Sequence, residues 1–169
     1  MQPRAVIRRM CLTLRQIPFD LEAVMSVEEM TLEAADPAKS APLRRILIVE
    51  DDVRNVYSLT SVLEPRGALT RIARNGQEAL DALAEAEGDP DKQIDLVLMD
   101  VMMPVMDGLT AARAIRDNSQ WTKLPIVMLT AKAMPDDQQK CIDAGANDYM
   151  AKPIDVDKLL SLVRVWMPR

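Results

Sequence analysis

Glu50, Asp51, Asp100, Thr130 and Lys152 are the side chains of this 169-residue chain best suited to chemistry. They fall at the ends of four short strand-like runs: ILIV before Glu50, LVLM before Asp100, IVML before Thr130 and DYMA before Lys152. Carboxylates brought close together repel one another and resist ionisation unless a cation balances them. A hard divalent ion with oxygen ligands meets that need. Mg2+ meets it best, because it accepts a few carboxylates and keeps room for waters and a phosphate oxygen. An aspartate nucleophile, a metal, a lysine and a hydroxyl together match the needs of phosphoryl transfer: the cations neutralise the phosphoryl oxygens and the hydroxyl donates to one of them.

Taken singly, each residue has a plainer reading. Asp52 is suited to be the N-cap of the helix that follows, and Glu50 and Asp51 could be first-turn acids complementing the helix dipole. Lys152 could be solvated, and Thr130 could simply finish a β-branched strand. The chemical reading gains weight only if folding brings four run ends to one place.

The order of elements supplies that folding. RILIVE (45–50) is a β-branched apolar run, and 53–67 has helical period with a Pro-Arg-Gly stop. The residues 69–74 read as a strand, 76–88 as a helix, and 94–100 as a buried strand, after which Asp107 is the N-cap of a helix ending near Arg116. Strands at 124–130 and 148–152 and helices at 135–146 and 155–166 complete the series. Strands alternating with helices imply right-handed crossovers and a doubly wound parallel sheet covered on both faces, which explains strands that are apolar throughout. Ligands of such sheets sit beyond the carboxyl ends of the strands, where Glu50, Asp51, Asp100, Thr130 and Lys152 fall. The Lys152-Pro153 step holds the lysine extended and is a candidate cis bond aiming it inward.

Composition narrows the class. A net charge of −5 offers no basic stripe for nucleic acid, and no run approaches the length of a membrane span. The chain has no histidine, so it carries no phosphohistidine of its own. Its two cysteines, Cys11 and Cys141, suggest no disulfide framework, which fits the cytoplasm. Residues 1–43 read as an extension with two candidate helices and a DPAKSAP linker, basic at Arg4, Arg8, Arg9 and Arg15 and acidic from Asp20 to Asp36. A floppy leader or a start at Met25 or Met30 are the plain alternatives to a docking or dimerisation helix there. The folded unit is placed at 44–169.

The motifs ILIVEDD, LVLMDVMMPVMDG, IVMLTAKA and DYMAKPI, in that order, resemble the receiver domain of two-component response regulators, over residues 44 to about 166. The local detail is closest to receivers attached to hybrid histidine kinases. The resemblance implies a flavodoxin-like five-stranded sheet of order 2-1-3-4-5. It implies that Asp100 accepts a phosphoryl group from a histidine kinase or histidine phosphotransfer protein. Asp51 would be a direct Mg2+ ligand, Glu50 would act largely through water, and the backbone carbonyl of Met102 would complete the protein's share. Lys152 would bind the phosphoryl group, with Thr130 and Tyr149 as the switch hydroxyl and switch aromatic. Ala131 would leave room for a donor's phosphohistidine. Glu50 stands where the family commonly has aspartate, a mild departure. Met102 and Lys132 occupy positions that influence hydrolysis of the acyl phosphate, and apolar Met102 predicts slow loss.

The resulting expectation is a single-domain response regulator, not an enzyme in the turnover sense. It would phosphorylate itself from donors, dephosphorylate itself, and signal by a phosphorylation-dependent contact with a protein target that the sequence does not name. A phosphate sink or phosphorelay intermediate uses the same chemistry. A dimer through the extension or through the face from the fourth to the fifth helix is compatible with it. An aspartate-nucleophile phosphatase would want Asp-x-Asp where this chain has Glu50-Asp51-Asp52. A flavin binder would want a hydroxyl and amide cradle where this chain has acids, and a scaffold with degenerate catalysis has no support from an intact residue set.

Overall fold

The computed structural model describes residues 44–131 and 134–167. The candidate helices of the extension, the linker and Lys132 lie outside the described residues. Among the described residues, five parallel strands alternate with five α-helices: β1 (Arg44–Val49), α1 (Val53–Leu63), β2 (Ala68–Ala73), α2 (Gly76–Ala86), β3 (Leu96–Asp100), α3 (Gly108–Asp117), β4 (Ile126–Thr130), α4 (Pro135–Asp143), β5 (Asp148–Ala151) and α5 (Val156–Trp166). The sheet order is β2-β1-β3-β4-β5, as expected for a doubly wound sheet. No described helix is long and apolar enough to cross a membrane.

Period-2 alternation sorts the strand side chains into two cores. Leu47, Val49, Val97, Met99, Ile126 and Met128 face one side, and small residues of α2 and α3, notably Ala79, Ala82, Ala111 and Ala112, cover them together with Cys141 of α4. Ile46, Ile48, Leu96, Leu98, Val127 and Leu129 face the other side, under Leu59 and Leu63 of α1 and Leu159 and Val163 of α5. Both faces are covered by helices, which is why β1, β3 and β4 could be read as unbroken apolar runs.

Helix starts follow the capping chemistry of the sequence. Asp52, Asn75, Asp107 and Asp155 each accept from a backbone N–H in the first turn of the helix that follows. Several element ends differ from the sequence reading. Pro65 converts the end of the first helix into a separate 3-10 turn, Glu64–Arg66, because it cannot donate. The third strand begins at Leu96, not Ile94, since Asp95 is held by Arg45, whose N–H donates to its Oδ2 at 2.8 Å. The fourth helix stops at Asp143, three residues short of Ala146. Gly145, at φ +96°, turns the chain, and the Ala146 N–H closes onto the Cys141 carbonyl at 3.0 Å.

Arg116, in the last turn of α3, fastens the end of the sheet opposite the strand C-termini. Its guanidinium donates to the carbonyls of Gly145, Trp121 and Leu124 and to Asn147 Oδ1, at 2.7–3.2 Å. Burial pushes its pKa down. Arg116→Met removes these donors at once, so the protein should lose about 2–4 kcal/mol in chemical denaturation, several unsatisfied acceptors outweighing the gained apolar contact. A loss under about 0.5 kcal/mol, the range of ordinary surface substitutions, would contradict that role.

Candidate functional site

Four strand ends converge on one rim. β1 ends at Val49, and Glu50 follows immediately, its N–H donating to the Ala73 carbonyl at 2.9 Å, so it is fixed between β1 and β2. Asp100 is the last residue of β3, and Thr130 the last of β4. Lys152 lies one residue past β5, its N–H donating to the Thr130 carbonyl at 2.7 Å, and its bond to Pro153 is cis.

Three of these side chains, Lys152, Glu50 and Asp100, meet directly. Lys152 Nζ donates to Glu50 Oε2 at 2.7 Å and to Asp100 Oδ2 at 2.8 Å, bridging β1, β3 and β5. Glu50 is 0% exposed, Asp100 and Thr130 are buried, and Asp51 is exposed. Carboxylate oxygens of Glu50, Asp51 and Asp100 lie within 4.8 Å of one another. Burial lowers the Lys152 pKa, but hydrogen bonds and charge from Asp100 and Glu50 outweigh it, and the net direction is up. Three ionised carboxylates and one ammonium leave two negative charges, which a divalent cation would neutralise.

Asp52 stands apart from this cluster. It is the N-cap of α1, and Arg54 Nη2 donates to its Oδ2 at 2.5 Å. Hydrogen bonds from the Arg54 side chain and backbone hold its carboxyl at about 2. The alternative reading of Glu50 and Asp51 as first-turn acids fails, since the first turn of α1 contains no acidic residue.

The sequence reading missed two parts of the site. Asn55 Nδ2 donates to Glu50 Oε1 at 3.1 Å, and the Asp52 N–H donates to the same oxygen at 3.3 Å, so both Glu50 oxygens are occupied. An amide on the first turn after an acid pair was the available signal. Gly108 was passed over beside Asp107; a Cβ there would lie 2.1 Å from the Asp100 carbonyl oxygen, and its N–H donates to the Val101 carbonyl at 3.0 Å. Only glycine lets α3 start so close to the end of β3.

The loop between β3 and α3 is strained and apolar. Val105 has φ 65°, a conformation that β-branched residues rarely adopt, and the Met106 N–H donates to the Pro104 carbonyl at 2.7 Å, closing a three-residue turn. This presents Val105 at 87% exposure, beside Met102 at 73%. The Met102 N–H donates to Asp100 Oδ1 at 3.3 Å. Tyr149 is half-buried against the core on the α2–α4 side. Trp166, at the end of α5, is half-buried, and its Nε1 donates to Asp148 Oδ2 at 3.2 Å.

Residues 46–164 match the family model of the response regulator receiver domain. The chain is 39% identical over 128 residues to the sensor histidine kinase GacS of Pseudomonas protegens, covering 72% of this chain and 13% of that protein. It spans about half or less of the length of the curated relatives it matches. Among solved structures it is similar to the receiver domain of sensor histidine kinase PA1611 from Pseudomonas aeruginosa, which has a magnesium ion coordinated in its active site cleft. The TM-score is 0.62 at 34% identity, covering 73% of this chain and 96% of that one. It is also similar to the complex of the Saccharomyces cerevisiae phosphotransfer protein Ypd1 with the receiver domain of Ssk1, with TM-score 0.67, 32% identity, and 75% and 90% coverage.

Proposed function

The chain belongs to the response regulator receiver family, and from that premise we propose that Asp100 is its phosphoacceptor, working with Mg2+ and Lys152. Receivers of two-component signalling accept phosphoryl groups from histidine kinases or phosphotransfer proteins. The observation that carries the assignment is the Lys152 bridge: one ammonium touches Asp100 and Glu50 at 2.8 and 2.7 Å. It stands where a phosphoryl oxygen on Asp100 would need a counter-charge.

Asp100 attacks phosphorus through a carboxylate oxygen, the bond from phosphorus to the donor nitrogen breaks, and an aspartyl phosphate remains. Bound Mg2+ would supply charge neutralisation at the phosphoryl oxygens. Asp51 and Asp100 would hold it, with the Met102 carbonyl. Glu50, whose oxygens already serve Lys152, Asn55 and the Asp52 N–H, would act through water. Thr130 would then turn its hydroxyl to the phosphoryl group and Tyr149 would follow, shifting the population of the α4–β5–α5 face. In this proposal 44–169 is the receiver unit and 1–43 an extension, the location is cytoplasmic, and the output is a phosphorylation-dependent protein contact. A sink or relay role uses the same steps. The donor meets an apolar rim: Val53 and Tyr57 on α1, Met102, Val105 and Met134 are all exposed. In the Ypd1–Ssk1 complex a receiver is bound to its phosphotransfer protein.

The test is transfer from a histidine phosphotransfer protein carrying labelled phosphate. Label should move to this chain, and peptide mapping should place it on Asp100. Label that stays on every donor tried, or maps elsewhere, would overturn the assignment.

Metal binding is separately measurable. With Mg2+ at about 100 times its Kd, the folded state should gain about 2.7 kcal/mol in thermal or chemical denaturation. Asp51→Asn should lose most of that gain while folding normally, because Asp51 is exposed. An equal gain in the variant would remove Asp51 from the ligand set.

A further inference from the structure

We propose that Met102 is an oxidation-sensitive site, and that its conversion to the sulfoxide shortens the life of the phosphoryl group on Asp100. The inference rests on Asp100 being the acceptor. Its starting point is the distribution of methionines among the described residues. Met99, Met128, Met150 and Met167 are buried, and Met103 and Met106 pack against the core. Met102 and Met134 are the exposed ones, at 73% and 65%. Met102 is two residues past Asp100, and Met134, at the N-cap of α4, is four past Thr130. Among the described residues, the thioethers open to a solution oxidant therefore stand on the two loops flanking the site.

Oxidation changes what Met102 can do there. Its sulfur attacks one oxygen of a hydroperoxide, an S–O bond forms and the O–O bond breaks. The other oxygen takes the proton and leaves as water or an alcohol, so sulfur is oxidised by two electrons and the peroxide reduced. A thioether is a weak acceptor, whereas the sulfoxide is polar. The Met102 backbone N–H already reaches Asp100 Oδ1, so the side chain is rooted beside the acyl phosphate, and its unbranched stem is flexible. A sulfoxide oxygen there can hold the water that attacks phosphorus, which the native side chain cannot.

The experiment treats the full chain with limiting hydrogen peroxide and maps the oxidised peptides. The protein is then loaded with acetyl phosphate and Mg2+, the donor is removed, and the phosphoryl group is followed by intact mass. Met102 should gain oxygen before the buried methionines. The treated protein should lose its phosphoryl group at least about threefold faster than the untreated one, a fraction of what a positioned base supplies. Met134→Leu should show the same acceleration, and Met102→Leu none relative to its own untreated sample. Methionine sulfoxide reductase should restore the slow rate. Buried methionines oxidised first, equal lifetimes, or an acceleration that survives in Met102→Leu would overturn the proposal. Failure of untreated protein to take any phosphoryl group would sink the acceptor assignment and this inference with it; a labelled protein indifferent to oxidation would sink the inference alone.

Discussion

Lys152→Met is expected to abolish phosphoryl acceptance and to destabilise the fold by about 3–5 kcal/mol at neutral pH, the usual cost of stripping one partner from a buried ion pair. The ammonium serves two buried carboxylates at once, Glu50 at 0% exposure and Asp100 nearby. Without it the acids must draw in water or bind a cation. The loss should therefore shrink when Mg2+ is added. The lysine also sets an alkaline limit. Its folded pKa is raised above the ordinary 10.5, so its stabilisation is complete below that value and declines as pH rises through the folded one. Denaturation curves of the two proteins should converge above pH 10.5. Equal stability at pH 7 without Mg2+ would contradict the bridge.

Gly108→Ala carries the second large effect, although it adds only a methyl group. The new Cβ would stand 2.1 Å from the Asp100 carbonyl oxygen and 3.1 Å from Met99 Cγ. The first obstacle is backbone at the end of a fully buried strand, which has nowhere to move without dragging the acceptor. Overpacking of this kind costs about 1–3 kcal/mol. Displacing the acceptor by about 1 Å should slow phosphoryl acceptance by about a hundredfold. Urea denaturation and single-turnover labelling measure the two separately. Unchanged labelling would show that α3 retreats without disturbing β3.

The strand ends were legible in the sequence because burial on both faces writes strands as solid apolar runs, and the first polar residue after each run marks the rim. That logic found Glu50, Asp100 and Thr130 directly, Lys152 was read from the end of the fifth strand, and the Lys-Pro step marked a candidate cis bond. The N-caps Asp52 and Asp107 were legible for a similar local reason. What could not be read was contact between distant elements. Asn55 looks like any polar residue in a helix until α1 sets its amide on Glu50. Gly108 looks like part of a turn until α3 and β3 come together. The strain at Val105 is also invisible in sequence, where valine argues for extended backbone. Element ends shifted wherever a tertiary hydrogen bond competed with local pattern, as at Asp95, or a glycine turned the chain, as at Gly145.

The most direct test of the acceptor assignment is intact-protein mass after incubation with acetyl phosphate, with and without Mg2+, on the native chain and on Asp100→Asn. The asparagine is nearly isosteric and leaves Lys152 paired with Glu50, so the variant should fold. The account predicts a gain of one phosphoryl group that requires Mg2+ and disappears in the variant. A gain that persists in Asp100→Asn at the same stoichiometry, or that ignores Mg2+, would contradict it.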